Sequence, residues 1–350
     1  MESPLPIDAF DYDLPPELIA QTPLAERSES RLLVLDRRAD GVRHDRFANL
    51  PSLLEPGDLL VFNDTKVIPA RLLGQRETGG KVEFLLLRRE SEQEWLALGK
   101  PAGRLRIGER IRISARDGVP VHVSGATVQE KLGEGQVRIV LDAAVDEHLK
   151  DFGRIPLPPY ITEQLEDDDR YQTIYARFDG SAAAPTAGLH FTADTMAALA
   201  DRGIDTAYVT LHVGLDTFRP VLEDDAREHK IHREWCTVSQ ECIDRIEMAK
   251  GEGKRVIAVG TTTARTLETY GQRLQQGETG PFAAETGIFI TPGYTWTMVD
   301  ALLTNFHLPK STLMLMVSAL AGRERILAAY REAVEQRYRF FSFGDAMLIL

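Results

Sequence analysis

The sequence predicts a discontinuous α/β domain, barrel-like or layered, that is interrupted by an inserted antiparallel β-barrel-like domain. Helix-like and strand-like segments alternate over most of the chain after residue 185, a pattern typical of an α/β core. Between residues 75 and 155, short strand-like runs follow one another without helical segments, which is typical of small antiparallel barrels or sandwiches. We therefore expect an α/β domain of residues 1–73 plus 156–350 and an inserted domain of residues 74–155.

The elements of the α/β domain follow from turn residues and hydrophobic periodicity. Residues 14–36 predict a short helix and then a strand, and residues 56–74 predict two strands joined by a polar turn. Further along, Gly203 ends one predicted helix and Ser239 caps the next. The other predicted elements are strands at 204–214, 255–260 and 287–291, helices from residue 261, over 313–320 and over 324–338, and a final strand at 347–350.

The composition is that of a globular chain with an ample apolar core. Of its 350 residues, 43% are hydrophobic and 27% are charged, and no uninterrupted apolar run has the length of a membrane span. The acidic, proline-rich start lacks the basic and apolar regions of a signal peptide. Cys236 and Cys242, the only cysteines, cannot form a disulfide framework or a four-thiolate zinc site. We therefore expect a cytoplasmic protein with buried free thiols and no membrane segment.

The net charge of −12 argues against a dedicated, non-specific nucleic-acid binder, because such proteins are usually basic. The charge is distributed unevenly, however. In residues 100–116 a single acid, Glu109, stands among the basic residues Lys100, Arg104, Arg106, Arg110, Arg112 and Arg116. This stretch indicates either a solvated strand face or a local binding surface for a polyanion.

Polar residues cluster where predicted core elements begin or end. They are Asn63, Asp64, Thr65 and Lys66 after one apolar strand, His212 after another, His190 in the turn before a helix, and Asn305 and His307 before a further helix. Ligands of α/β folds bind beyond the carboxyl ends of strands, and imidazole is the usual acid or base near neutral pH. These positions therefore predict a catalytic site.

A strand–turn–helix at residues 259–268 places three threonines at a helix start. Their hydroxyls and the free backbone N–H groups can bind a carboxylate or phosphate, although threonines also occur there simply as caps. The segment 310–312 offers the same two alternatives. The chain lacks the Walker P-loop, the GxGxxG dinucleotide fingerprint and the GxSxG nucleophile elbow.

No metal site is predicted. His229 and His232 lie three residues apart, but with Glu234 they make an incomplete zinc site, and the HExxH motif is absent. A solvated or substrate-contacting surface explains these residues better.

Eight blocks span nearly the whole chain: FDYDLPPELIAQTPL, LLVFNDTKVIPARL, PTAGLHFT, LHVGLDTFRPV, VGTTTARTLE, TGIFITPGY, LLTNFHLPKSTLMLMVSALAG and YRFFSFGDAMLI. In this order they resemble the S-adenosylmethionine:tRNA ribosyltransferase-isomerase family of the queuosine pathway. The resemblance implies an α/β domain with an inserted β-barrel-like domain. It also implies that S-adenosylmethionine is consumed as a co-substrate, that no other cofactor is needed, and that the enzyme is cytoplasmic.

The implied reaction transfers and isomerises the ribosyl group of S-adenosylmethionine. The acceptor is 7-aminomethyl-7-deazaguanine at the wobble position of tRNAs with GUN anticodons, and the products are epoxyqueuosine-tRNA, adenine and methionine. We expect a monomer that contacts no membrane. The sequence departs from the family pattern at Asp216, where glycine is usual, and at Phe343, where tyrosine is common.

The chemistry of this reaction suggests a role for each candidate residue. A base must remove a proton next to the sulfonium, and we expect His190 or His212 to do so, with Asp64 orienting it or binding ribose hydroxyls. The expected substrate-binding residues are Asn63, Thr65 and Lys66, the turn Gly260, Thr261, Thr262 and Thr263 for the methionine carboxylate, and Asn305 and His307 for adenine or ribose. Arg104, Arg106, Arg110 and Arg112 are the expected tRNA contacts.

Two other functions fit parts of the sequence. A methyltransferase would use the same donor, but the glycine-rich strand-turn of that class is missing. A non-catalytic RNA-binding module would leave the clustered histidines unexplained.

Overall fold

A computed structural model of the protein describes residues 4–116, 124–163, 165–214 and 221–350. These residues form two compact units. The larger unit contains the described residues of 1–65, 159–178 and 184–350, and the smaller unit contains those of 66–158 and 179–183. Within these ranges, no helix is long and apolar enough to cross a membrane.

The strands are numbered in chain order. The first are β1 (Arg31–Leu35), β2 (Arg43–Arg46) and β3 (Leu59–Asn63). The middle of the chain contributes β4 (Thr65–Val67), β5 (Arg71–Arg76), β6 (Lys81–Arg89), β7 (Glu94–Lys100), β8 (Arg110–Ile113), β9 (Gly125–Gly133), β10 (Gln136–Leu141), β11 (Gly153–Arg154) and β12 (Phe178–Ser181). The last are β13 (Asp205–Leu211), β14 (Glu234–Val238), β15 (Val256–Val259), β16 (Phe282–Thr286), β17 (Ala301–Asn305) and β18 (Ala346–Ile349).

The α-helices fall into short and long ones. The short helices are α1 (Leu50–Leu53), α2 (Ala143–Glu147) and α3 (Leu149–Phe152). The longer helices are α4 (Ala193–Asp201), α5 (Gln240–Gly251), α6 (Thr261–Gln275), α7 (Thr312–Ala321) and α8 (Arg323–Glu335). Side-chain oxygens cap the starts of three of them, since Thr192, Ser239 and Ser311 each accept a bond from a backbone N–H of the first turn.

The larger unit is a layered α/β structure. Its described strands form one mixed sheet in the order β16-β14-β13-β3-β15-β17-β18-β1-β2, in which β13, β3, β15 and β17 run parallel. Alternate residues of β3 enter different apolar layers: Leu59 and Val61 pack with α5 to α8, whereas Leu60 and Phe62 pack with α4. A central strand buried on both faces must be apolar at every position, which explains the run LLVF.

The smaller unit contains a closed antiparallel β-barrel. Strands β5, β6, β7, β10, β9 and β8 pair in this order, and β5 also pairs with β8, so the described part of this unit holds a six-stranded closed sheet. Its inner side chains alternate along the strands, as in β6, where Val82, Phe84 and Leu86 are buried. The predicted fold class is confirmed.

Three details differ from the sequence predictions. The predicted boundary after residue 73 falls inside β5, which is a barrel strand. The predicted helix near residue 16 is a single 3-10 turn, Pro16–Leu18, because a segment this short gains too few hydrogen bonds to extend as an α-helix. The strand predicted at 287–291 lies earlier, as β16, where it pairs with β14.

Candidate active site

The site lies at one edge of the large sheet, where four parallel strands end. Carboxyl ends of parallel strands meet at the same edge, and ligands of α/β sheets bind there. The residues that follow these ends are His212 after β13, Asp64 after β3, Gly260 after β15 and Phe306 after β17. The backbone topology therefore brings the ends of these four strands together at this edge.

A cleft of about 650 Å³, including the space open to solvent at its mouth, occupies this edge. All of its described lining residues belong to the larger unit. The polar ones are Tyr160, Thr186, Thr261, Thr262, Thr304, Asn305, His307, Ser311 and Ser342. Among the described lining residues there is no carboxylate, and His307 is the single imidazole. The cleft therefore offers hydrogen-bonding groups rather than fixed negative charge.

The start of α6 contributes backbone donors to the cleft. Gly260 precedes the helix with φ +90°, a conformation that side chains disfavour, and no side chain of the described residues caps this helix start. Thr261 and Thr262 line the cleft, whereas the Thr263 hydroxyl donates to the carbonyl of Val259 at 2.7 Å. The uncapped N–H groups of the first turn can therefore donate hydrogen bonds to an anion in the cleft.

The α7 start differs from the α6 start. Ser311 Oγ accepts a bond from the Met314 N–H at 3.2 Å and so caps α7. Lys310, one residue earlier, pairs with Asp8 and Asp11 at 2.8 and 3.1 Å. Of the two anion-binding alternatives raised by the sequence, the uncapped α6 start is thus the better one.

Asn305 is held in a fixed orientation by its neighbours. Its Nδ2 lies 3.1 Å from His190 Nε2 and donates to the Phe341 carbonyl at 3.2 Å, while its Oδ1 accepts from the Thr186 hydroxyl at 3.1 Å. This carboxamide is buried, and these bonds fix which face it turns to the cleft.

His190 is a buried, neutral imidazole with both ring nitrogens engaged. The Ser30 hydroxyl donates to the carbonyl of Arg27 at 3.0 Å, so it must accept from His190 Nδ1, 2.8 Å away. The proton therefore resides on Nδ1, and Nε2 accepts from Asn305. Burial, with the charges of Arg27 and Arg339, lowers the pKa of His190 to about 3. Its ring lies outside the cleft lining, so His190 supports Asn305 instead of facing that space.

His307 lines the cleft and is also neutral. Burial lowers its pKa to about 3. Its Nε2 lies 2.9 Å from the Thr304 hydroxyl, and its backbone N–H donates to the Tyr330 hydroxyl at 3.0 Å. An imidazole this weakly basic serves as a hydrogen-bonding group for a ligand better than as a base.

Acid should destabilise the larger unit through His190 and His307. Both have a folded-state pKa of about 3, below the ordinary value of 6.5, so between these pH values the unfolded chain binds protons that the folded chain does not. The free energy of unfolding should therefore decrease as the pH is lowered through this window, by about 1.4 kcal/mol per pH unit for each imidazole. Denaturant titrations between about pH 4 and pH 7 measure the slope.

A substitution isolates the contribution of one ring. His190→Gln should make the slope shallower by one imidazole, whereas His148→Gln, at an exposed position, should leave it unchanged. A His190→Gln protein with the slope of the parent would contradict the buried, neutral state of His190.

The other predicted residues at this edge form a second hydrogen-bonded group. Asn63 Nδ2 donates to the Leu211 carbonyl at 3.0 Å and to the Thr262 hydroxyl at 3.1 Å. Thr65 Oγ1 lies 2.8 Å from Nδ1 of His212, whose side chain is half-buried. These three residues lie outside the cleft lining, but Asn63 contacts Thr262 and His212 directly precedes Val213, and both Thr262 and Val213 line it.

Asp64 is buried behind this group. Its Oδ1 accepts from the Thr210 hydroxyl at 2.7 Å. Burial raises its pKa, although the Thr210 bond and the nearby charge of Arg177 oppose the rise. Asp64 lies outside the described cleft lining, and its carboxylate contacts Thr210, which does not line the cleft either.

The remaining predicted contacts belong to the smaller unit. Lys66 Nζ lies 3.5 Å from Asp179, Arg110 pairs with Asp142 at 2.5 Å, and Arg112 donates to the Gln75 side chain at 2.8 Å. Arg104 and Arg106 are exposed. The basic stretch is therefore partly neutralised by its own unit.

Several lining residues were missed by the sequence predictions. Tyr160, Thr186 and Ser342 come from three separate segments, and the Tyr160 hydroxyl lies 2.7 Å from Ser342 Oγ. Thr186 and Ser342 do stand inside the blocks that carry the resemblance, which was the available signal. Of the two departures, Phe343 is buried edge-on against Tyr171 at 5.7 Å, and Asp216 lies outside the described residues.

No metal centre was predicted, and the described residues hold no group of three or more histidine, cysteine or acidic side chains placed to bind a metal ion. His232 instead pairs with Glu234 at 3.1 Å, and His229 with Glu223 at 2.8 Å.

The chain is similar to known proteins over nearly its whole length. A family profile described as queuosine biosynthesis protein matches residues 7–349. The S-adenosylmethionine:tRNA ribosyltransferase-isomerase of Caldanaerobacter subterraneus is 50% identical over 347 residues, covering 97% of this chain and 98% of the relative. The protein of the same name from Carboxydothermus hydrogenoformans is 51% identical over 341 residues, with 97% and 98% covered.

A solved structure is also similar. The crystal structure of an S-adenosylmethionine tRNA ribosyltransferase from Thermotoga maritima is 37% identical, with a TM-score of 0.56, and the match covers 98% of this chain and 100% of that one. Because these matches run from end to end, they include every segment that contributes to the cleft.

Proposed function

Because the chain belongs to the queuosine biosynthesis family of S-adenosylmethionine:tRNA ribosyltransferase-isomerases, we propose that this transferase moves and isomerises the ribosyl group of S-adenosylmethionine onto tRNA. The proposed acceptor is 7-aminomethyl-7-deazaguanine at the wobble position of a tRNA with a GUN anticodon. The proposed products are epoxyqueuosine-tRNA, adenine and methionine. The enzyme is proposed to act as a cytoplasmic monomer, with S-adenosylmethionine as co-substrate and no further cofactor.

The observation that carries this proposal is the strand-end cleft with an uncapped helix start on one wall and a fixed carboxamide on another. Its volume of about 650 Å³ lies in the range of small-molecule sites. We assign the methionine carboxylate to the N–H groups of Thr261 and Thr262, because helix starts favour anions, whereas the Gly260 N–H donates to the Leu303 carbonyl at 2.8 Å. Asn305 and His307, at the end of β17, then contact adenine or ribose.

The reaction needs a base whose pKa is near the working pH. His190 and His307 are poor candidates, because both have pKa values of about 3. We propose His212 as the base, since it is the half-buried member of the three and stands at the end of β13, next to Val213 of the cleft. Thr65 orients His212 through its Nδ1. Asp64 bonds to Thr210 near the end of β13, so its proposed role is to support that strand end and not to contact the substrate.

The group that departs is adenine, and it needs hydrogen bonds that strengthen as the bond to ribose breaks. Neutral donors and acceptors serve this purpose without trapping the cationic sulfonium, which a carboxylate in the cleft would bind tightly before reaction. The hydroxyls of Thr186 and Thr304, with Asn305, are proposed to supply them. His190 is a positioning residue in this scheme, because it acts through Asn305.

Arg104, Arg106, Arg110 and Arg112 are retained as proposed tRNA contacts. Phosphate neutralisation by arginine supplies much of the affinity for nucleic acids, and the net charge of −12 requires that such contacts be local. Arg104 and Arg106 are the more available pair, since Arg110 and Arg112 are engaged by Asp142 and Gln75.

Adenine release tests the function directly. The purified protein should release adenine and methionine from S-adenosylmethionine only when tRNA carrying 7-aminomethyl-7-deazaguanine is present, and the tRNA should gain the ribosyl-derived mass. Chromatography of the small molecules and mass spectrometry of the digested tRNA measure both. Unmodified tRNA of the same sequence is the matched control.

Other outcomes would replace the proposal. A tRNA that gains one methyl group, with S-adenosylhomocysteine formed, would identify a methyltransferase. Tight tRNA binding without any consumption of S-adenosylmethionine would identify a binding module.

A further inference from the structure

A second cavity lies in the larger unit, beside the substrate cleft. It measures about 290 Å³, including open solvent, and its lining includes Arg27, Ser30, Arg170, His190 and Ser342. Ser342 lines both cavities, and the hydrogen-bonded pair His190–Asn305 has one member in the lining of each. The two spaces therefore share a wall.

The second cavity contains two guanidinium groups without a carboxylate partner among the described residues. Arg27 donates from Nη1 and Nη2 to the carbonyls of Leu189 and Asp169, both at 3.0 Å. Arg170 donates from Nη2 to the carbonyl of Leu24 at 2.5 Å, and its Nε is buried without a hydrogen-bond partner. Backbone carbonyls orient these cations, and among the described residues no carboxylate forms a salt bridge with either of them.

The surroundings of these cations increase the excess of positive charge. Burial lowers the pKa of Arg27, and the charge of Arg170 lowers it further, against the weaker opposing charges of Asp167 and Asp169. Arg339 adds a third guanidinium near His190, and its Nη1 is also buried without a hydrogen-bond partner, although the charge of Asp345 opposes the effect of burial on the pKa of Arg339. Partly buried cations whose charge is only partly offset are costly, and an anion that binds between them reduces this cost.

We propose that this second cavity binds a backbone phosphate of the tRNA, next to the nucleotide that reacts in the substrate cleft. The inference rests on the proposed function for the identity of the RNA. Guanidinium groups match phosphate oxygens in geometry, and Arg27 and Arg170 both line the cavity, the second with an Nε that has no hydrogen-bond partner. The reacting base would lie in the substrate cleft and the adjacent phosphate in the second cavity, an arrangement that two cavities with a shared wall allow.

The proposal also gives His190 a second function. Its Nε2 bonds to Asn305, and its Nδ1 bonds to Ser30, which in turn donates to the backbone carbonyl of Arg27. Burial, with the charges of Arg27 and Arg339, lowers the pKa of His190 and keeps it neutral. A phosphate bound at Arg27 and Arg170 would therefore be connected to Asn305 through Ser30 and His190. Correct seating of the tRNA backbone would then fix the carboxamide that contacts the other substrate.

Arginine substitutions and salt dependence test the cavity. Arg170→Gln and Arg27→Gln should each raise the Kd for tRNA about tenfold and reduce the slope of log Kd against log salt concentration by about 0.7–0.9, the loss of one phosphate contact. Binding of S-adenosylmethionine alone should be unchanged. Arg245→Gln, an exposed site on α5, is the matched control and should leave both quantities unchanged.

Because Arg27 and Arg170 also bond to backbone carbonyls, the test must separate a binding role from a structural one. A set of tRNAs with a single neutral methylphosphonate linkage around the wobble position serves this purpose. One linkage should weaken binding to the parent about tenfold and weaken binding to Arg170→Gln by clearly less, because that variant has already lost part of the same contact and keeps only Arg27. Arg170→Lys, which keeps the charge, should regain part of the affinity, and thermal midpoints confirm folding.

The outcomes distinguish the sources of phosphate. The proposal would be overturned if both glutamine variants kept the Kd and the salt slope of the parent. It would also be overturned if the effect of every methylphosphonate on Kd were as large in Arg170→Gln as in the parent. Inorganic phosphate that binds the parent but not Arg170→Gln, without competing with tRNA, would assign the cavity to free phosphate and also overturn it. Direct tRNA binding is measured independently of turnover, so an absence of adenine release would count against the proposed function alone.

Discussion

His212→Ala should lower kcat for tRNA-dependent adenine release by about 10²–10⁴-fold, the usual contribution of a general base. The reasoning is physical, since a carbon acid next to a sulfonium requires a base that is neutral and adequately basic near pH 7. His190 and His307 are neutral but have pKa values of about 3, and the described cleft lining contains no carboxylate. His212, half-buried at the end of β13, lacks that degree of burial.

The expected effect has features that a loss of structure would not produce. The KM for S-adenosylmethionine should change little, added imidazole should restore part of the rate, and the acid limb of the kcat–pH profile should disappear. Thr65→Val, which removes the partner of Nδ1, should shift that limb with a smaller loss of rate. His44→Ala, at an exposed histidine on β2 that bonds to Tyr338, should leave kcat unchanged. Parental kcat in His212→Ala would exclude this residue as the base.

The strand-end positions were predictable from the sequence because topology alone brings them together. Apolar runs such as LLVF and VIAV identify buried parallel strands, and the polar residue after each must lie at the common edge. Asp64 and His212 were found in this way, whereas Gly260, Asn305 and His307, which line the cleft, were identified by the helix starts that they precede. The barrel was likewise predictable, since alternating short strands without helices leave few other folds.

The partners of each side chain were not predictable, because they come from distant segments. Whether His190 faces substrate or supports Asn305 depends on Ser30, which is 160 positions away. The sequence shows a histidine beside a helix start in either case. The second cavity was missed for the same reason, since Arg27 and Arg170 stand in unrelated segments without a shared motif. Net charge gave no indication of a local excess of cations.

The barrel boundary shows a further limit of sequence patterns. A strand that enters the inserted unit and a strand that leaves the α/β core have the same alternation, so pattern alone cannot assign residues 66–73 to either. Pairing decides the matter, because β5 bonds to both β6 and β8.

Glu268→Ala should lower the free energy of unfolding by about 3–5 kcal/mol, the range for removing one partner of a buried charged network. Glu268 on α6 is fully buried. Its two oxygens accept from the backbone N–H groups of Thr297, Met298 and Val299 at 2.9–3.0 Å. They also accept from the hydroxyls of Thr297 and Tyr294, both at 2.9 Å. Alanine would leave all these donors without an acceptor, and denaturant titration would report the loss as a lower midpoint.

The same contacts connect Glu268 to the cleft. The segment it holds leads directly into β17, which ends at Asn305, while the first turn of α6 supplies Thr261 and Thr262. The packing there is close, since a Cβ at Gly271 would lie 2.0 Å from Thr297 Oγ1. Glu268→Gln, which keeps one acceptor oxygen, should lie between alanine and the parent in stability. Glu247→Ala, on the exposed face of α5, should change stability by less than about 0.5 kcal/mol. A Glu268→Ala protein as stable as that control would mean that the 294–299 segment does not depend on this carboxylate.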